Sequence, residues 1–156
     1  MTAKKKLLIV AHMPSANTQL LAEAALRGAS HPDFDSVQVK LTQPLKTTAD
    51  DVLDCDAILL GTTENFGYMS GAMKDFFDRI YYPCLEHTEA LPYSIFIRAG
   101  IDGSGTKQAM EKIITGLRWK AVHQTVILQG DYQSSFLQEV EELGMTMAAG
   151  LDAGIF

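Results

Sequence analysis

Three small polar residues surround the predicted start of the first helix, and together they could bind a phosphate group. In the stretch HMPSANTQLLAE (12–23), Ser15, Asn17 and Thr18 each carry a side-chain hydroxyl or amide. A helix start adds unpaired N–H groups and the positive end of the helix dipole, both of which favour an anion. The same residue types are good N-caps, so simple helix capping is the alternative. The segment lacks GxxxxGK, which excludes a P-loop, and it lacks GxGxxG, which argues against a Rossmann dinucleotide site.

A second segment, GTTENFGYMSGAMKDFFDR (61–79), combines two kinds of sequence. Its second half is an amphipathic helix, with one apolar stripe and charged i,i+4 pairs on the other side. Its first half is a polar, aromatic and glycine-bearing turn directly after a buried strand, and it comprises Thr62, Thr63, Glu64, Asn65, Phe66, Gly67 and Tyr68. Packing alone does not require a core strand to end in this way.

A third segment, RAGIDGSGTKQ (98–108), follows another buried strand. Gly100, Gly103 and Gly105 permit close backbone approach and positive φ angles, as a binding loop requires. The alternative is a flexible strand–helix turn in which Ser104 or Thr106 caps the next helix.

The elements that must position these segments alternate along the chain as five β-α units. The predicted strands are residues 7–11, 37–41, 57–61, 93–100 and 123–128. The helical patterns lie in residues 17–29, 47–53, 71–81, 109–117 and 136–151, and Pro83 is expected to end the third. Buried strands between helices predict an α/β fold of three layers, with a doubly wound parallel five-stranded sheet. Right-handed crossovers and the edge-like second strand favour the order 2-1-3-4-5, which places ligands beyond the carboxyl ends of the strands.

The composition limits the classes of function. A chain of 156 residues suits one domain covering residues 1–156, and a net charge of −6 argues against nucleic acid as a partner. Cys55 and Cys84 are far apart and have no metal-binding spacing, so we predict no metal site and two buried or idle thiols, with a disulfide or redox pair as the alternative. No segment is long enough to span a membrane, and the apolar run after the basic start is too short for a signal peptide. These features predict a cytoplasmic protein without a membrane partner.

The motifs resemble those of a known superfamily. SANTQLLAE is similar to the phosphate loop of flavodoxin-like FMN proteins. DAILLGTTENFGYMSGAMKDFFDR resembles the second flavin loop of the NAD(P)H-dependent FMN reductase and WrbA-like quinone reductase branch. EELGMTMAAGL resembles the last helix of that branch. The resemblance covers nearly the whole chain and implies a flavodoxin-like fold with bound FMN.

The resemblance also assigns cofactor-binding residues. It implies phosphate contacts from Met13, Ser15, Ala16, Asn17 and Thr18. It implies flavin-ring contacts from Thr63, Glu64, Asn65, Phe66, Gly67 and Tyr68. It places the other edge of the flavin against Arg98, Ala99, Gly100, Ile101, Asp102 and Gly103. The sequence departs from the family pattern in having Thr63 in place of a proline, Ala16 in place of a glycine, and His12 and Met13 in place of Ser or Thr.

Flavin carries redox chemistry itself, so no catalytic side chain is expected. The resemblance implies an enzyme that uses NADH or NADPH as co-substrate and passes electrons through FMN to a quinone or another small-molecule acceptor. A flavodoxin-type electron shuttle is the alternative. A signalling receiver domain shares the strand order but needs acidic residues after the first strand, and AHMPSAN (11–17) has none. By analogy with the family, a homo-oligomer is expected, with a dimer as the preferred state.

Overall fold

The apolar runs form a parallel sheet in a computed structural model that describes residues 3–156. Met1 and Thr2, which belong to the basic start and to the predicted domain, lie outside the described residues. The strands are β1 (Lys5–Ala11), β2 (Val37–Thr42), β3 (Ala57–Asn65), β4 (Tyr68–Met69), β5 (Pro92–Ala99), β6 (Lys120–Ala121) and β7 (Val126–Gln129). The α-helices are α1 (Ala16–Ala29), α2 (Ala49–Leu53), α3 (Gly71–Cys84), α4 (Ser104–Leu117) and α5 (Ser135–Asp152).

The strand order confirms the predicted order 2-1-3-4-5, in which the fourth predicted strand is β5 and the fifth is β6 with β7. β1 pairs in parallel with β2 and β3, β3 pairs with β5, and both β6 and β7 pair with β5. The exposed side chains of Gln38 and Lys40 alternate with less exposed ones along β2, as expected for the edge strand.

Helices cover both faces of the sheet because the central strands are apolar on both sides. In β1, Leu7 and Ile9 belong to the core under α1 and α5, whereas Leu8 and Val10 belong to the core under α2, α3 and α4. All four side chains are at most 3% exposed, so β1 is buried on both faces. This is the three-layer, doubly wound arrangement that continuous apolar runs predict.

The structure differs from the prediction at the fifth strand and at the end of the third helix. The fifth strand, predicted at 123–128, is divided into β6 and β7. Tyr93 of β5 pairs with Ala121 and Phe96 of β5 pairs with Val126, so the outer segment has two more residues than β5 between these pairs, and its pairing is interrupted. The helix expected to end at Pro83 continues to Cys84. A proline in the last turn removes a single helical hydrogen bond, which the packing of Cys84 in the core offsets.

The helices of residues 3–156 include none that is both long enough and apolar enough to cross a membrane.

Candidate functional site

The three polar segments meet at one edge of the sheet. Ala11 at the end of β1 pairs with Gly61 of β3, and Thr63 further along β3 pairs with Arg98 near the end of β5. The strands are parallel, so the segments that follow them emerge on the same side. The register therefore brings together the segments predicted to bind a ligand.

The first turn is a capped helix start. Ser15 is the N-cap of α1: its hydroxyl accepts a hydrogen bond from the amide of Thr18 at 3.2 Å, and the Thr18 hydroxyl accepts one from the Ser15 amide at 3.0 Å. Thr18 is buried and Ser15 is exposed. The capping alternative therefore accounts for two of the three polar residues singled out in the sequence.

The same turn still has unused hydrogen-bond donors. Within residues 3–156, the amides of Met13, Ala16 and Asn17 and the exposed Asn17 side chain have no hydrogen-bond partner. The first turn of α1 contains no acidic residue. A helix start with unpaired N–H groups and no carboxylate is suited to an anion.

His12 is the histidine that the sequence places at this edge, and it is half-buried there. Its amide donates to the carbonyl of Gly61 at 2.9 Å, which joins the first turn to β3. Burial lowers the pKa of the His12 imidazole below its usual value. Burial therefore favours the neutral form of the ring over the charged form beside the helix start.

The second segment is a hairpin, which corrects the predicted turn after Gly61. β3 extends through Asn65, and the chain then reverses so that Glu64 pairs with Met69 and Asn65 with Tyr68. Thr62 and Thr63 are strand residues because they also pair with β5. We call the stretch from Glu64 to Met69 the hairpin.

The two turn residues of the hairpin have unusual backbone angles. Phe66 has φ 54° and Gly67 has φ 73°. Positive φ at both central residues is typical of a type I′ turn, in which Asn-Gly is the favoured pair. Glycine accepts this conformation readily, whereas the Cβ of phenylalanine makes it unfavourable by about 1–2 kcal/mol.

The Phe66 ring is fully exposed in the described part of the chain. Its relative exposure is 105%, so it does not pack against the following helix. The side chain of Tyr68 is 40% exposed, and Asn65 is also exposed. The hairpin thus presents an aromatic ring to solvent from a strained position.

The third segment is tied to the hairpin by a carboxylate. One carboxylate oxygen of Glu64 accepts a hydrogen bond from the amide of Ile101 at 2.7 Å, and the other accepts one from the amide of Gly103 at 2.8 Å. Sequence reasoning placed Glu64 at the site but missed this role. No local pattern signals it, since the partners are separated by 37 and 39 positions.

The cap of α4 also differs from the expectation. Gly103 is the N-cap, with φ 71° and no side-chain cap, so the alternative in which Ser104 or Thr106 caps the helix is wrong. Asp102 instead accepts hydrogen bonds from the amide and hydroxyl of Ser104, which lower the pKa of its carboxyl group. Ile101 and Gly100 are exposed beside it.

The hairpin turn rests on the first turn of α4. The carbonyl oxygen of Gly67 lies 2.3 Å from the position that a Cβ on Gly105 would occupy. Only glycine permits this contact, and the sequence gives no sign of which backbone Gly105 approaches.

Arg98 points away from the hairpin. Its guanidinium donates to the carbonyl of Leu128 at 3.1 Å and to that of Ala99 at 3.0 Å, and it lies over the ring of Phe136 at 5.2 Å. Its side chain therefore joins β5 to β7 and the start of α5. Ala99, whose side chain is buried, contributes only backbone to this edge.

The strand order and the helices on both faces define the flavodoxin-like fold. The chain is similar to an archaeal flavodoxin, with a TM-score of 0.76, 19% identity, and coverage of 94% of this chain and 98% of that one. It is also similar to a flavodoxin, WrbA-like protein from Agrobacterium tumefaciens, with a TM-score of 0.73, 17% identity, and coverage of 95% and 98%.

Sequence comparison points in the same direction. A curated flavodoxin from Aquifex aeolicus (strain VF5) is 29% identical over 112 residues, which are 72% of this chain and 60% of that protein. The chain thus spans less than two thirds of this curated relative. No protein-family model matches the sequence.

Proposed function

We propose that this chain, as one domain, is a flavoprotein that binds FMN at the carboxyl edge of the sheet and transfers electrons through it. The observation that carries the proposal is the hairpin turn, where Phe66 exposes its whole ring from an unfavourable backbone conformation. In the ligand-free state, the exposed ring contributes no packing that would stabilise this backbone conformation. Offset stacking on a flat ring such as flavin would offset the strain.

The residues present fit FMN at both ends. The unpartnered amides of Met13, Ala16 and Asn17 suit a phosphate, and the helix dipole of α1 adds a favourable potential. Within the described residues, the amides of Phe66 and Gly67 also have no partner, so they can donate to polar atoms of a ring. The match of donors to a phosphate and a polar ring supports the assignment.

Bound FMN would supply the redox chemistry, and the protein would supply position and electrostatics. In this arrangement the first turn holds the phosphate and the hairpin covers the ring. The loop from Gly100 to Gly103 bounds the opposite edge. Amides directed at a ring stabilise negative charge that develops on it, so the hairpin would also affect the reduction potential of the flavin.

For the electron source we propose NADH or NADPH, and for the acceptor a quinone or another small molecule, with the chain acting as an enzyme. The likeness of residues 56–79 to the WrbA-like branch supports this choice. The modest net charge of −6 supports it as well, since shuttles tend to dock by dense acidic surfaces. A flavodoxin-type shuttle is the second candidate, and the flavodoxin among the curated relatives favours it.

The test is a titration of the purified protein with FMN, followed by anaerobic addition of NADH or NADPH. We expect quenching of flavin fluorescence on binding and bleaching of the flavin absorbance by one of the nucleotides. Absence of binding would refute the flavoprotein assignment. Binding without bleaching by either nucleotide would select the shuttle.

The phosphate assignment has its own test in Asn17→Leu. Asn17 is the better target than Thr18, because the hydroxyl of Thr18 is part of the helix cap. We expect weaker FMN binding with the fold intact. Gln19→Leu is the matched control, because Gln19 is an exposed amide on the same helix whose side chain pairs with Glu23. Equal FMN affinity in the two variants would contradict the assignment.

A further inference from the structure

Glu64 connects the hairpin to the loop from Gly100 to Gly103. Within residues 3–156, no other side-chain hydrogen bond joins these two segments. It lies in β3, one residue before Asn65 ends the strand, and its two carboxylate oxygens accept from the amides of Ile101 and Gly103. In the described part of the chain, neither amide has another partner. This carboxylate is therefore the side-chain tie between the loop from Gly100 to Gly103 and the hairpin.

The electrostatics favour a carboxylate in this place. Gly103 is the N-cap of α4, a helix of 14 residues, so the negative charge lies at the positive end of the helix dipole. Hydrogen bonds to a charged acceptor are stronger than those between neutral groups. At 2.7 and 2.8 Å, both bonds have the short length of charge-assisted pairs.

The hairpin is also supported at its tip by the first turn of α4. The carbonyl oxygen of Gly67 contacts the backbone of α4 at Gly105, which limits how near the turn can approach the helix. Glu64 lies in β3 below the tip, and its two hydrogen bonds hold the loop close to this strand. Together the two contacts set the width of the space between the hairpin and the loop.

We propose that Glu64 is a positioning residue for the ring site, one that holds the hairpin and the loop from Gly100 to Gly103 at the spacing that receives the flavin. The inference rests on the proposed FMN function. It adds that the carboxylate of Glu64 acts through the amides of Ile101 and Gly103, and that it stays on them when the ligand binds.

The experiment compares Glu64→Ala and Glu64→Gln with wild type. Glutamine keeps one acceptor oxygen, so it should retain one of the two hydrogen bonds, whereas alanine retains neither. Glu139→Gln is the matched control, because Glu139 is exposed in α5 and its side chain has no hydrogen-bond partner in the described residues. Amide hydrogen exchange by NMR on FMN-free protein measures the tie, and an FMN fluorescence titration measures its effect on binding.

We expect exchange at Ile101 and Gly103 to be about tenfold faster in Glu64→Ala, and FMN binding to be about tenfold weaker. Glu64→Gln should fall between this variant and wild type in both measurements. The control should match wild type. The graded rescue by glutamine distinguishes positioning from a general loss of stability, which the urea unfolding midpoint reports separately.

Three results would overturn the inference. Unchanged exchange at both amides would show that Glu64 does not hold the loop. Faster exchange with unchanged FMN affinity would show that the spacing does not matter for binding. Tighter FMN binding in Glu64→Ala would show that the carboxylate competes with the ligand for the two amides. Failure of wild type itself to bind FMN would instead refute the proposed function, and the exchange data on FMN-free protein would still report the tie.

Discussion

Replacement of Phe66 by Asn should stabilise the FMN-free protein and weaken FMN binding at the same time. Phe66 has φ 54° and precedes Gly67, so the change creates the Asn-Gly pair that type I′ turns favour. Relief of the left-handed strain should raise the free energy of unfolding by about 1 kcal/mol. The ring is fully exposed, so its removal costs no buried area.

The loss of binding has a separate origin. Offset stacking of two aromatic systems contributes about 0.5–1.5 kcal/mol beyond the area that it buries. Loss of this contact should raise the FMN dissociation constant about two- to tenfold. The two effects thus have opposite signs, which an ordinary packing residue would not produce.

Urea unfolding of the FMN-free protein gives the first quantity, and quenching of FMN fluorescence gives the second. The control is Glu86→Asn, since Glu86 is exposed, has φ 68° and lies beyond the end of α3 at the opposite edge of the sheet. That change should raise stability without affecting FMN. If Phe66→Asn lowers stability, or leaves FMN affinity unchanged, the account of the hairpin is wrong.

Further predictions concern glycine, histidine and cysteine. Gly105→Ala would put a Cβ 2.3 Å from a carbonyl oxygen of the hairpin turn, so unfolding free energy should fall by about 1–3 kcal/mol and FMN binding should weaken. Burial lowers the pKa of His12, so the unfolded chain binds a proton at this residue more readily than the folded chain does. The folded protein is therefore most stable with respect to His12 above the unfolded pKa of about 6.5, and it loses stability as the pH falls. Thermal unfolding between pH 5 and 8 should show a weaker pH dependence in His12→Asn. Burial raises the pKa of Cys55 to about 12 and that of Cys84 to about 11, so iodoacetamide at pH 7.5 should label both thiols only after unfolding, as mass spectrometry would show.

Each of these has a clear contrary result. Gly71→Ala is the control for Gly105, because a Cβ at Gly71 meets no atom of residues 3–156 within 4 Å. Equal effects of the two changes would refute the steric argument. An unaltered pH dependence in His12→Asn would mean that another group titrates. Rapid labelling of native Cys84, which is buried in the core, would contradict the proposed lack of thiolate.

Periodicity was sufficient to predict most of the framework. Apolar residues at helical spacing predicted α3, and its i,i+4 pairs Lys74–Asp78 and Asp75–Arg79 are present at 2.6 Å each. Continuous apolar runs predicted the central strands, and right-handed crossovers with the edge-like second strand predicted their order. These signals are readable because burial on one face of a helix or on both faces of a strand repeats at a fixed interval.

The misses occur where pairing with a distant segment overrides local composition. Thr62 and Thr63 resemble turn residues in isolation, yet β5 and β4 supply partners that keep β3 extended through Asn65. The break between β6 and β7 depends on two additional residues relative to β5, which only the register shows.

The sequence by itself determined the three-layer α/β framework and the three segments that converge at its carboxyl edge, because helical and strand patterns are local. Only the tertiary structure decided how those segments are used: that Phe66 stands exposed at a tight turn, and that Glu64 binds the amides of Ile101 and Gly103. These contacts join residues far apart in the chain, or depend on backbone angles, and no repeating pattern in the sequence encodes either.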